Sequence, residues 1–257
     1  MIPKIIHNIW IQGYDTLSEK NKQNYDNIKK LNHDWKFIFW DEPMIIELMK
    51  KYPKIHDIYN NVEKLSYTFK INMYAIKSDI SRYIILKEYG GLYFDIDFEC
   101  ISSFNDLFNE DDTIYTISSN ISLLYLYPFS KPKYCSCFIG IEKEHPMWNN
   151  VINIMLYAKT QYDIGSAFDI SLQKGNYNII VLNEINGVYT CNNNAICSTP
   201  AQSSWNISRP FLKYVNCYSM KILYMIIFIS FTIIYINRNI FTMHNPIIKK
   251  YKNKKYI

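Results

Sequence analysis

The stretch SDISRYIILKEYGGLYFDIDFEC, running from Ser78 to Cys100, constrains this chain more than any other. From about Thr68 to Tyr89, the residues Ile71, Tyr74, Ala75, Ile76, Ile80, Tyr83, Ile84 and Leu86 form one broad apolar stripe. That stripe predicts a long core helix. Gly90-Gly91 supplies a left-handed cap to end it, and Leu92–Phe94 reads as a short strand running into Asp95. Side chains alternate along an extended segment, so Asp95 and Asp97 are expected on one side with Ile96 in the core. Open α/β sheets bind ligands at the C-terminal ends of their strands, which is where this carboxylate pair falls.

Two like charges this close raise each other's pKa, and a cation is the simplest relief. Mg²⁺ and Mn²⁺ take hard oxygen ligands and are commonly shared between carboxylates and phosphates. A lone D-x-D recurs by chance, so its surroundings decide. Asp79 and Arg82 stand three apart, on one face of the expected helix. A plain salt bridge would explain them. Their neighbours Ile80, Tyr83, Ile84 and Ile85 nevertheless imply partial burial, and a buried charge needs a partner.

Around this block the chain reads as α/β. Lys4–Trp10 is a β-branched run closed by Gly13, Ser18–Asn32 has helical spacing, and Trp35–Asp41 is a second buried strand. Pro43 opens a further helix. Strand, helix, strand, helix predicts a parallel sheet. Later, YTIS and CFIGI read as strands, Pro146 starts a helix, and Asn178–Leu182 is another strand. His145 reads as a helix-start residue and Glu99 as a surface residue able to support a metal from behind.

The 257 residues, 49% hydrophobic and 20% charged, exclude a disordered tail and a coiled coil. The net charge of +5 arises partly from the tail KKYKNKKYI, so no nucleic-acid partner is inferred. The six cysteines lack a second pair at zinc spacing and read as free or buried thiols. Sequons at Asn120 and Asn206 would matter only in a secretory lumen. The opening MIPKIIHNIW lacks the features of a signal peptide, so the expected location is cytoplasmic-facing. The expected domains are 1–212 and 213–257. The second holds an uncharged run, Ile222–Ile236, followed by a basic tail. At 15 residues the run falls short of the roughly 20 that span a bilayer. Membrane attachment through it, spanning or interfacial, stands beside a buried terminal helix or strand pair.

IPKIIHNIW near the start, SDISRYIILKEYGGLYFDID in the middle and a late SSWN together resemble the glycosyltransferases with a D-x-D sugar-binding region. That family (family 32) includes yeast-type initiating α-1,6-mannosyltransferases and capsular polysaccharide transferases, with the glucosylating clostridial toxins as remoter kin. The likeness covers roughly residues 1 to 208, and its central block is the specific part. It implies a GT-A-type nucleotide-sugar-binding α/β domain with a mixed, mostly parallel sheet, using Mn²⁺ or Mg²⁺. By the same resemblance Trp10 would stack on the nucleotide base, with His7 lining that pocket, and ordinary core packing is the alternative for both. Asp79 and Arg82 would contact the donor sugar. Asp95 would touch the sugar or ribose and a metal-bound water, Asp97 would ligate the metal, and Ser204 and Trp205 would reach the diphosphate. The family's His before the closing Trp is absent from TPAQSSWN, and its Thr-Gly-Pro segment is reduced to DIGSAFD.

The resulting expectation is a metal-dependent hexosyltransferase. It would take a GDP-mannose or UDP-hexose donor and a glycan or protein acceptor, with retention implied by the family alone. A non-catalytic sugar- or nucleotide-binding module on the same fold is the second reading. A metal-dependent phosphoesterase, which would want more His and Asp ligands, is the third.

Overall fold

The computed structural model describes residues 1–65, 72–118 and 134–182, the backbone of 197–198, and Ile229. The chain divides into two compact units, Met1–Asn120 with Phe129–Arg209, and Ile121–Pro128 with Pro210–Ile257. Every described residue except Ile229 belongs to the first. The apolar run 222–236 therefore lies outside the described residues apart from Ile229, and among them no helix is long and apolar enough to cross a membrane.

The chain opens with β1 (Ile5–Ile9), α1 (Glu19–Leu31), β2 (Lys36–Trp40) and α2 (Glu42–Met49). Ser18 caps α1 by accepting from the Asn21 N–H, and Asp41 caps α2 by accepting from Met44. Pro43 sits in the first turn of α2, where its missing N–H costs nothing. There follow α3 (Pro53–Asn60), the long α4 (Met73–Tyr89), β3 (Gly91–Phe94) and β4 (Glu99–Cys100). Then come β5 (Thr113–Ser118), β6 (Tyr134–Ile141), α5 (Met147–Leu156), α6 (Gln161–Gly165) and α7 (Ala167–Lys174). The last elements are β7 (Asn178–Leu182) and β8 (Cys197–Ser198).

Six strands form one sheet in the order β2-β1-β3-β6-β5-β7, while β4 and β8 form a separate pair. Pairings β1–β2, β1–β3 and β5–β7 are parallel. Strand β6 runs antiparallel to both β3 and β5. The sheet is thus mixed and mostly parallel.

Both faces are covered, as the parallel strands require. On one face Tyr93, Ile114, Ile139 and Ile141 pack with Ile80, Tyr83 and Ile84 of α4 and with Trp148 and Phe168. On the other, Ile6, Leu92, Phe94 and Phe138 pack with Ile28, Trp35, Phe98 and Phe104. Between α4 and β3 only glycine fits. Gly90 and Gly91 have φ of 62° and 96°, and a Cβ on Gly91 would lie 2.4 Å from the Ile5 carbonyl oxygen.

Two expectations are corrected here. The strand does not continue through the carboxylate pair: β3 stops at Phe94, and Asp95–Phe98 is a turn in which the Asp95 carbonyl accepts from the Phe98 N–H at 3.1 Å. Ile96 is nonetheless buried, in a small cluster with Leu17 and Tyr25. The cysteines are not free thiols among the described residues: Cys135 and Cys137 are bonded to each other, and Cys100 is disulfide-bonded.

Candidate active site

The C-terminal end of β3 collects charge. Arg82, on α4, is buried and reaches Asp79 Oδ1 at 3.2 Å and Asp95 Oδ1 at 3.5 Å through the same nitrogen, Nη2. Its guanidinium lies over the Tyr93 ring, 4.6 Å from the centroid. Nη1 donates to the Ser136 carbonyl at 2.8 Å and to Ser136 Oγ at 3.2 Å, and Nη2 donates to Ser78 Oγ at 3.3 Å. Only Nε has no hydrogen-bond partner. Tyr93 donates its hydroxyl to Asp95 Oδ1 at 2.6 Å, so one carboxylate oxygen is shared by a phenol and a guanidinium.

The electrostatics follow from burial. Burial opposes the Arg82 charge, yet Tyr93, Asp79 and Asp95 together push its pKa above the usual value. Asp79 is pushed up to about 6, first by burial and then by Asp95, with Arg82 pulling the other way. Asp97 is pushed up to about 7 by burial, by Asp95 and by Glu99, with Lys20 opposing. The Arg82 guanidinium thus faces the carboxylates of Asp79 and Asp95, Lys20 is the positive charge acting on Asp97, and the raised Asp79 and Asp97 show that negative charge is in excess. Asp95 and Asp97 at the turn offer carboxylate oxygens, the ligand type that Mg²⁺ and Mn²⁺ take, while among the described residues no group of three or more His, Cys, Asp or Glu side chains is placed to hold a metal ion.

Around that centre the other candidates separate. Trp10 is half-buried beyond β1 and donates Nε1–H to Thr16 Oγ1 at 2.8 Å, and it packs on the cluster containing Ile96. It therefore borders the Asp95–Phe98 turn. His7 is not brought to this group. Its ring is fully buried, with Nε2 2.9 Å from the Gly90 carbonyl and Nδ1 accepting from Trp40 Nε1–H at 3.1 Å. Both nitrogens are occupied by the fold at the opposite end of β3. Ser204 and Trp205 lie outside the described residues. Glu99 pairs with Lys20 at 2.6 Å. His145 accepts from the Met147 N–H at 3.2 Å, the helix-start role expected of it. The segment DIGSAFD adjoins the site: a Cβ on Gly165 would lie 3.3 Å from Asp79 Oδ2.

Sequence reasoning missed Tyr93, Ser136 and Lys20. Tyr93 could have been found, because two residues before Asp95 in a strand shares its face. Lys20 and Ser136 arrive from α1 and from across the sheet, and no local pattern marks them.

Residues 18–114 match the family described as glycosyltransferase sugar-binding region containing DXD motif. That stretch, which holds α4, β3 and the Asp95–Phe98 turn, is similar to the family's sugar-binding region. Among curated proteins, the chain is 30% identical over 162 residues to an uncharacterized glycosyltransferase, L373, of Acanthamoeba polyphaga mimivirus, covering 60% of this chain and 56% of that protein. It is 36% identical over 103 residues to the mannosyl phosphorylinositol ceramide synthase SUR1 of Saccharomyces cerevisiae, covering 39% of this chain and 24% of that one. The chain thus spans about half of the viral relative and about a quarter of the yeast one. Among solved structures, PaToxG glycosyltransferase superposes with a TM-score of 0.51 at 20% identity, covering 67% of this chain and 69% of that one. The fold is of the GT-A type, as the resemblance implied.

Proposed function

We propose that the chain is a metal-dependent glycosyltransferase that moves a hexose from a nucleotide-sugar to a hydroxyl of a glycan or other acceptor, with retention at the anomeric carbon. One observation carries this reading: Asp79, Arg82 and Asp95 meet beside Asp97 at the C-terminal end of β3, inside the matched region. The names of relatives in yeasts, mannosyl phosphorylinositol ceramide synthase and inositol phosphoceramide mannosyltransferase, favour a mannosyl donor and hence GDP-mannose, with a UDP-hexose second.

Asp95 and Asp97 would hold Mn²⁺ or Mg²⁺. Bound there, the cation would offset the surplus carboxylate charge and the negative charge that grows as the nucleoside diphosphate departs. The protein's own groups account for orientation. Asp79, buried against Arg82, would accept hydrogen bonds from donor-sugar hydroxyls. Arg82, gripped by Ser136, Tyr93 and Asp95, would present its Nε–H toward the sugar or phosphate. A donor fixed in this way needs no reorganisation when charge develops. Trp10 would stack on the base, and Ser204 with Trp205 would hydrogen-bond the diphosphate.

Calorimetry of the whole chain with GDP and with UDP, each with and without Mn²⁺, tests the reading. One nucleotide should bind only with metal, and Asp97→Asn should remove that dependence. Release of sugar from the donor without acceptor separates an enzyme from a binding module. Binding of neither nucleotide under any metal condition would sink the transferase reading.

A further inference from the structure

Strand β6 enters the site through a small disulfide loop that the proposed reaction does not use. Cys135 and Cys137 are joined, and Ser136 between them gives Arg82 two of its hydrogen bonds. The flanking carbonyls are engaged as well. Cys135 accepts from Thr116 Oγ1 at 3.0 Å, and Cys137 accepts from the Asp95 N–H at 3.1 Å. The loop therefore touches both the cation of the site and the backbone of its carboxylate turn.

The bond and the local distortion coincide. Thr116 pairs with Ile139 but its neighbour Ile117 pairs with Cys135, so Ser136–Phe138 intervene without partners on β5. A regular strand would hold alternate Cα atoms about 6.6 Å apart; here they are 5.2 Å apart. A disulfide two residues apart cannot form across a regular strand, because the Cβ atoms must approach to about 3.8 Å. Closing the bond therefore selects the bulge, and the bulge aims Ser136 at Arg82. Residues 134–137 are all partly exposed, unlike the buried Phe138–Ile141 that complete the strand.

We propose that Cys135–Cys137 is a reversible redox switch that holds Ser136 on Arg82 when oxidised and withdraws it when reduced. Its consequence for donor binding rests on the transferase reading above. A thiolate of a dithiol reductant attacks one sulfur, forming a mixed disulfide and freeing the other cysteine as a thiolate. The reductant's second thiol then displaces the remaining cysteine. The pair gains two electrons and two protons, and the reductant leaves as a disulfide. With the bond open, β6 is free to relax toward regular pairing with β5, which turns Ser136 away from the guanidinium.

The test uses the full chain and two readouts. Differential alkylation with mass spectrometry measures the state of Cys135 and Cys137, and hydrogen exchange follows the peptide containing Asp95, whose N–H is held by Cys137. Dithiothreitol should open the bond, speed exchange at Asp95, and weaken Mn²⁺-supported GDP or UDP binding by about tenfold. The variant Cys135→Ser/Cys137→Ser should match the reduced protein and show no further response at Asp95, which separates this bond from the one at Cys100. Both thiols already alkylatable in the untreated, air-equilibrated protein would overturn the proposal. So would unchanged exchange on reduction, equal nucleotide affinity in both states, or a variant that still responds. If exchange follows the thiols while no nucleotide binds in either state, the switch stands and the transferase reading fails.

Discussion

Strand β3 has a buried polar group at each end, and the two are built on opposite principles. At its start, His7 has one donor and one acceptor among neutral partners, Gly90 and Trp40. At its finish, Arg82 has charged partners in surplus and an Nε–H left over. The first group is complete without a ligand, as a structural polar cluster should be. The second is complete only with added positive charge and an added acceptor. That contrast, rather than burial itself, separates scaffold from site.

The strongest way to break the contrast is Arg82→Ala. It leaves Asp79, 16% exposed, and Asp95, 38% exposed, with no guanidinium, so the loss should fall at or below the about 3–5 kcal/mol typical of breaking a fully buried pair from one side. Urea unfolding should show that loss at neutral pH, together with abolished donor hydrolysis. Arg82→Lys should recover part of the stability and little of the activity, since an ammonium cannot serve Ser136, Asp79 and Asp95 at once. Full activity in Arg82→Ala would remove the guanidinium from the mechanism.

The other end of β3 predicts a pH effect of known sign. Burial holds His7 down at about 4, against 6.5 when unfolded, and a proton on Nδ1 would confront the Trp40 N–H. Between those values the unfolded chain binds the proton and the folded chain does not. The His7 contribution is therefore complete above pH 6.5 and falls as pH drops toward 4, by at most about 3 kcal/mol, with the raised Asp79 and Asp97 contributing in the opposite sense. His7→Gln, carrying no titrating group, should flatten that part of the pH–stability curve while leaving nucleotide affinity unchanged. A steep affinity loss in His7→Gln would instead restore the pocket role that the resemblance implied.

A smaller change tests the bond shared by the two halves of the site. Tyr93→Phe keeps the ring beneath Arg82 and deletes only the hydrogen bond to Asp95. A hydrogen bond to a charged acceptor is worth about 1.5–3 kcal/mol. The loss should appear in the metal dependence of nucleotide binding more than in thermal stability. Equal losses in both would make Tyr93 a packing residue.

What the sequence disclosed follows the range of the forces involved. The α4–Gly-Gly–β3 unit was legible because helical spacing, a left-handed cap and a β-branched strand act within a few residues of one another. Asp79, Arg82, Asp95 and Asp97 belong to that unit, and all but Asp97 are seen to meet directly. The extended course expected through Asp95 and Asp97 was wrong, because a turn closed by Phe98 costs no more locally than another strand residue. Tertiary packing of Ile96 and Phe98 into two different apolar clusters accompanies the turn. Ser136 was invisible because its position depends on a bulge in a strand about forty residues downstream. The thiols were misjudged for a similar reason: C-x-C spacing says nothing until the backbone bends enough to close it.

The mildest perturbation concerns the rim. Lys20, in the first turn of α1, pairs with Glu99 across 2.6 Å, with side chains 50% and 39% exposed. An exposed pair of this kind contributes about 0–1 kcal/mol, so Lys20→Ala should scarcely move the unfolding midpoint. Its effect on ligands has a definite sign. Lys20 is the positive charge that opposes the raised pKa of Asp97, and it partly answers the same deficit that a divalent cation would answer. Removing it should tighten Mn²⁺ binding, by about twofold to fivefold at low ionic strength, with the gain fading as salt screens the pair. A weaker Mn²⁺ affinity in Lys20→Ala would mean that the lysine organises the Asp97 turn instead of competing with the metal. The deficit of charge would then have to be met from elsewhere.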